Sequence, residues 1–263
     1  MITFVIICLA LFVIYGIYNR IRKNNTVLPL RFFKSKNFTA ANIGIFLAGI
    51  ASNGPMLLLP LFFQNTKGFT AVEAGLMLIP QGLGMMVTRP LIGKMIDRMG
   101  ARPVVLVSLA ISLLGTIPFI VVHETTNLIW LGLVLFVRGM GIGGLQMPMM
   151  TDIFIGLEKQ DIPGASVGQR IIQNVGSSFG SAIISAVVTA VVTSEIAGQM
   201  TTKLHQLAAM HTNLTPTVIA RAKTSVEKAV TLNGYQLGFL VSSIVLIVIA
   251  IPAMFLSQKK VNK

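Results

Sequence analysis

Seven runs of mostly apolar residues divide the chain, at about 2–19, 40–63, 73–93, 103–122, 128–151, 163–194 and 233–256. Each is near the roughly 20 residues that a helix needs to cross a bilayer core. Backbone polar groups have no water to bond in lipid, so only helices and closed barrels span it. Mostly apolar runs of this length predict helices. The expectation is an all-α integral membrane protein with seven transmembrane helices. Composition agrees: 11% of residues are charged, against about 25% in soluble domains.

The net charge of +13 does not indicate nucleic acid, because the cations sit in short runs beside apolar segments. They read as topology determinants. Arg20, Arg22, Lys23, Arg31, Lys34 and Lys36 share one loop that holds no acid. That loop is therefore predicted to be cytoplasmic, with the N-terminus outside. Alternation then places Gly93–Arg102, Gly156–Ile162 and the Lys259-Lys260 tail inside, and Asn65–Val72, His123–Asn127 and Ile196–Leu232 outside. The expected organisation is a membrane helix over 1–19, a basic cytoplasmic linker over 20–39, a six-helix bundle over 40–257 with an extracellular helical loop over 196–232, and a cytoplasmic tail over 258–263. The first run lacks the leading charges and the cleavage site of a signal peptide, so it reads as a retained helix.

Several chemistries are excluded. The single cysteine, Cys8, forms no intramolecular disulfide, and three histidines with one cysteine make no metal site. No nucleophile elbow, zinc-protease motif or paired intramembrane carboxylates are present, so no enzyme and no cofactor are expected. All eight acids lie in loops or at the ends of the runs, and none is near a bilayer midplane.

Helix ends carry local signals. Thr70-Ala71-Val72-Glu73 fits a capping box opening the third span. Pro103 suits the first helical position of the fourth. Pro55, Pro60, Pro80, Pro90, Pro118 and Pro148 lie inside spans, where proline kinks or opens a helix. Between Ile196 and Leu232, Thr215-Pro216 reads as a cap and first turn, and Gln199–His211 as a further helical stretch.

Charged and amide groups at membrane depth are the candidate site residues. Arg138 falls near the middle of the fifth span with no carboxylate of this chain at its depth. It is expected to meet carbonyls, water or an acid from another chain. Gln81, Gln146, Gln169, Gln173, Asn174 and Asn53 are the other candidates for a cavity or a contact with a second bundle. Gln169 and Gln173 share a face at four-residue spacing. Gly139, Gly141 and Gly143, with Gly164, Gly168, Gly176 and Gly180, are small-residue patterns that let membrane helices approach closely.

The stretch from Gly93 to Arg102 reads G-K-x-x-D-R-x-G-x-R, with Lys94, Asp97, Arg98 and Gly100 between its ends. A basic turn alone does not call for this pattern. It resembles the signature loop of the major facilitator superfamily. Leu28-Pro29-Leu30-Arg31, Ala74-Gly75-Leu76, Arg138-Gly139-Met140-Gly141 and Gly176-Ser177-Ser178-Phe179-Gly180 extend the likeness. Together they resemble the C-terminal half of fourteen-helix drug:proton antiporters of the EmrB/QacA type. The resemblance implies one inserted helix followed by the C-terminal six-helix bundle, with an N-terminal half elsewhere holding the proton-carrying acids. It also implies a plasma-membrane, proton-motive-force-driven exporter of lipophilic, often cationic compounds, inactive without that half. An exporter of amino acids, lipids or peptides, or a non-transporting membrane remnant or accessory subunit, are the alternatives. Asp97 is expected to pair with Arg98 or Arg102 and to hold a closed state.

Overall fold

The computed structural model describes residues 35–123, 125–209 and 215–257. The expected first span, most of the 20–39 linker and the 258–263 tail lie outside these residues. Among the described residues, six stretches are long and apolar enough to cross a membrane, matching the second to seventh expected spans.

Helix α1 (Lys36–Lys67) starts at Ser35 and ends at Gly68, whose φ of 74° stops it. The third expected span is two helices, α2 (Ala71–Leu76) and α3 (Ile79–Met99). The capping box forms as its sequence suggests. Glu73 N donates to Thr70 Oγ1 at 3.3 Å and Thr70 N donates to Glu73 Oε2 at 2.8 Å. The fourth span is α4 (Ala101–Thr116) followed by a 3-10 turn, Ile117–Val121. The fifth is α5 (Leu128–Gly143) and α6 (Gln146–Ile153). Pro80, Pro118 and Pro148 each lie in the first turn after one of these interruptions. Proline has no N–H to donate, and the first turn needs none. Pro103 is the third residue of α4 rather than the first.

The two remaining spans are longer than expected. Helix α7 (Ile162–Ala209) has 48 residues and α8 (Pro216–Ala253) has 38. At 1.5 Å per residue α7 is about 72 Å long, more than twice a hydrocarbon core. The helical stretches read between 196 and 232 are thus continuations of two membrane helices. Ala222, Val226 and Val230 recur every four residues on α8 and are buried. Glu195 accepts from Gln199 and Asn233, tying the two helices where they leave the apolar zone.

The helices pack as two groups of three. Helix α1 lies against α7 and α8, and α5 lies against α3 and α4. The groups join through α4 on α8 and α1 on α6. One end of the core is aromatic, with Phe119 against both Phe62 and Phe239. The other is built from smaller side chains, including Ala41, Ile45, Leu109, Met149 and Leu246. In lipid this close packing, rather than water exclusion, holds helices together.

Polar ties close both ends. At the Gly100 end, Arg102 N donates to Ser257 O at 3.2 Å, and Ser257 N donates to Asp152 Oδ2 at 3.2 Å. Ser257 Oγ also donates to Asp152 Oδ1. At the opposite end Asn65 Nδ2 donates to Tyr235 Oη at 2.6 Å, and Lys67 Nζ to Thr126 O at 2.9 Å.

Cover is uneven. Only 22% of the apolar stretch of α2–α3 and 17% of that of α7 is buried, against 44–56% for the other four. These two helices flank the bundle and carry its open faces.

Candidate functional site

The Gly93–Arg102 stretch is not a ten-residue loop. Helix α3 runs through it to Met99, and the turn into α4 is Gly100 alone, with φ 84° and ψ 177°. The physical reason is the burial of Ile92 and Ile96, four residues apart on the side of α3 that faces the bundle. They hold the helix past the expected end. Gly93 is therefore helical, and a Cβ there would meet nothing within 4 Å. Gly100 is the residue whose backbone conformation favours glycine.

The expected pairing of Asp97 with Arg98 or Arg102 is not formed. Among the described residues Asp97 makes no ion pair, and it is exposed. Neighbours in a helix point about 100° apart, which keeps Arg98 off its carboxylate. Arg102 belongs to the next helix and is half-buried. Lys94, Asp97 and Arg98 thus stand on the surface at the Gly100 end.

Arg138 is 1% exposed, inside the bundle rather than on an open face. Its Nη1 donates to Gln81 Oε1 at 2.9 Å across the α3–α5 contact. Within the described residues its partner is therefore a neutral amide of this chain. Gln81 is committed to that bond and is also buried. The Arg138 Nε has no partner among the described residues.

The remaining amides gather on the other group of helices. Gln169 Nε2 donates to Gln173 Oε1 at 3.3 Å, and Gln173 Nε2 donates to Gln146 Oε1 at 3.0 Å. This relay links buried Gln169 on α7 to Gln146, the first residue of α6. One turn further along, Asn53 Nδ2 on α1 donates to Ser177 Oγ at 2.8 Å. Asn174 is exposed.

The glycines sit at close helix crossings. A Cβ on Gly139 would run into the Gln81 carbonyl, and one on Gly141 into the Ser112 backbone. One on Gly143 would lie 3.0 Å from Met85 Cα, and one on Gly180 2.7 Å from Ile50 Cα. Gly176 approaches the Phe46 backbone in the same way. Gly168 is buried and Gly164 half-buried.

The structure adds two features to the sequence reading. Asp152 reads as an acid at a span end, yet it is 1% exposed and anchors Ser257. No pattern links positions 105 residues apart. Asp152→Ala should lower the thermal midpoint in detergent by the equivalent of about 1–3 kcal/mol, through lost charge-assisted bonds. Ser257→Ala should cost less, since the backbone N–H still reaches the carboxylate. The second feature is a pair of stripes. Arg170, Gln173, Asn174, Ser177 and Ser181 share one side of α7, separate from the exposed apolar stripe of Ile171, Val175 and Phe179. On α3, Gly82, Met86, Arg89 and Gly93 are likewise separate from Leu83, Val87 and Leu91. The spacing was present in the sequence, but only the burial of the opposite sides sets which stripe stays open.

Known proteins resemble this chain over parts of it. A protein of Mycobacterium tuberculosis (strain H37Rv) named "Multidrug resistance protein B homolog" is 28% identical over 170 residues, which is 64% of this chain and 32% of that protein. The "Uncharacterized MFS-type transporter YcnB" of Bacillus subtilis is 31% identical over 101 residues, 38% of this chain and 21% of the relative. A second Bacillus subtilis protein, "Uncharacterized MFS-type transporter YhcA", is 24% identical over 142 residues, 54% and 27% of the two chains. The chain thus matches about a third or less of the length of these relatives. The sequence profile of the Major Facilitator Superfamily matches residues 1–160, more than half the chain. With six apolar helices among the described residues, a glycine-packed bundle and the Gly93–Arg102 motif at one end, the chain belongs to the Major Facilitator Superfamily, as a multi-pass cell-membrane protein of a transporter family rather than an enzyme.

Proposed function

We propose that this chain forms one wall of a proton-coupled exporter of lipophilic compounds, working by alternating access against a second helical bundle. The observation that carries the reading is the pair of open helices, α3 and α7, each with a polar or small-residue stripe at membrane depth. Such a stripe is costly against lipid and suits a water-filled cavity or a partner. The relation to a protein named for multidrug resistance supports a lipophilic cargo, and the greater length of the relatives supports a second bundle. The fourteen-helix arrangement follows the sequence resemblance. Asp152 is the one carboxylate within the stretches 79–94, 128–153 and 162–194, and it is buried and bonded. The proton carrier, and any acid that receives a cationic cargo, therefore belong to the second bundle. Gln146, Gln173, Asn174 and Asn53 stand on this wall, with Lys94, Asp97 and Arg98 at its inner rim.

The test is reconstitution in liposomes with a pH gradient and a fluorescent lipophilic dye. The chain alone should insert without moving dye. Adding the N-terminal bundle of a full-length relative should start gradient-dependent movement, which Asp97→Asn lowers. Gradient-dependent movement by the chain alone overturns the reading.

A further inference from the structure

The open wall carries a sign of charge. Arg89 on α3 and Arg170 on α7 are both exposed, and neither side chain has an ion pair or hydrogen bond among the described residues. Both belong to the open stripes rather than to the exposed apolar ones. They also lie in the same half of the membrane. Arg89 is five residues, about 7 Å, from Lys94 at the Gly100 end of α3. Arg170 is nine residues, about 13 Å, from Asp161 at the start of α7. The Asp152–Ser257–Arg102 tie shows that the end of α6, which the loop to Ile162 follows, lies at the Gly100 end.

Two contacts with one intervening span link the helices that carry the arginines. The interruption between α5 and α6 lies between them, with Gly143 against Met85 of α3 and Gln146 bonded to Gln173 of α7. As oriented, the amide relay leaves Gln146 Nε2 as a donor at its open end. Met86 is the most exposed large side chain on the α3 stripe, at 73%. Two cations and a free amide donor stand beside flexible apolar surface, and the exposed carboxylate nearest along α3, Asp97, is eight residues or about 12 Å from Arg89. Arginine favours carboxylate and phosphate through its planar fork of donors, and methionine adapts to varied apolar shapes.

We propose that this wall binds the anionic head of an amphiphile, a carboxylate or a phosphate, through Arg89 and Arg170, with Gln146 donating to it and Met86 against its chain. This rests on the transporter reading and narrows its cargo. Lipophilic compounds with an acidic head are selected by this wall, and cationic ones gain nothing from it.

Binding is measured with the purified full chain in nanodiscs of zwitterionic lipid. The probes share one fluorescent sixteen-carbon chain and differ in the head: carboxylate, phosphate, methyl ester or trimethylammonium. The two anionic probes should bind at least ten-fold more tightly than the other two. Arg89→Gln with Arg170→Gln should abolish that preference, and Arg89→Lys with Arg170→Lys should keep most of it. Arg221→Gln, on the extension of α8, should leave it unchanged. Equal affinity for all four heads overturns the proposal. So does a preference that survives the double glutamine variant while helical content and elution stay normal. If the arginines instead meet acids of a covering bundle, the double variant will weaken co-purification with that bundle and leave head preference untouched, which also overturns it. Binding is read without a transport step. Failure of dye movement therefore counts against the transporter reading alone, and loss of head preference counts against this inference alone.

Discussion

Gln81→Leu should destabilise the bundle more than Arg138→Met, although both remove the same hydrogen bond. The two variants leave different groups behind. Without Gln81, the Arg138 guanidinium keeps its charge in a site that is 1% exposed, with Nε already unpartnered. An uncompensated buried charge costs about 3–5 kcal/mol. Without Arg138, the residue left behind is a neutral amide, whose lost bond costs about 1–3 kcal/mol. Methionine also refills most of the arginine's volume with flexible apolar atoms. The double variant, Gln81→Leu with Arg138→Met, removes both polar groups and should recover most of the loss. Thermal unfolding in detergent, followed by helical circular dichroism, gives the ranking. Arg138→Met as the more damaging single change would mean that the guanidinium has a stabilising partner besides Gln81.

Gly139→Ala should lower stability by about 1–3 kcal/mol or more, the usual range for overpacking, while Gly82→Ala should raise it by about 0.5–1 kcal/mol. Both changes add one methyl group inside a membrane helix. At Gly139 the methyl meets the Gln81 carbonyl and Cα, which are backbone atoms of α3 and move only if the two helices separate. At Gly82 nothing lies within 4 Å, so the gain in helix propensity stands alone. Gly84→Ala should behave like Gly139→Ala, since its methyl would strike the Phe136 carbonyl from the other side of the same crossing. Gly93→Ala offers a separate readout. Its Cβ is free in this bundle, so folding should be unharmed. If dye transport by the two-bundle assembly falls in that variant, the loss reports a contact made by the second bundle. Unchanged stability in Gly139→Ala would mean that the α3–α5 crossing is looser than its geometry.

The Arg138 result bears on how far a sequence can be read in a membrane. A lone arginine in the middle of a span looks functional, because leaving it in lipid is expensive. Its answer lies 57 positions away, in an amide that has no distinctive pattern around it. By sequence, Gln81 and Arg138 are both candidates for a cavity or a contact with a second bundle. The tertiary structure joins them to each other. Arg89 and Arg170 are cations within spans by sequence, and the burial of Ile92 and Gln169 shows which sides of α3 and α7 are covered.

What the sequence determined by itself was the solvent and the elements. Run length and charge placement set six of the helices, because an unpaired backbone in lipid admits little else. The Thr70–Glu73 cap is local chemistry and formed as its four residues dictate. The family motif was legible for the same reason, as its residues are contiguous. What only the tertiary structure decided were the ends and the faces. Helix α3 outlasts its apolar run because Ile92 and Ile96 are held by other helices. Helices α7 and α8 continue beyond the apolar zone, where Glu195 joins them by accepting from Asn233 of α8. Asp152 is a tie and not a surface acid because Ser257 returns to it from the far end of α8. Each of these depends on a contact between residues distant in the chain, and helical periodicity carries no record of which neighbour will arrive.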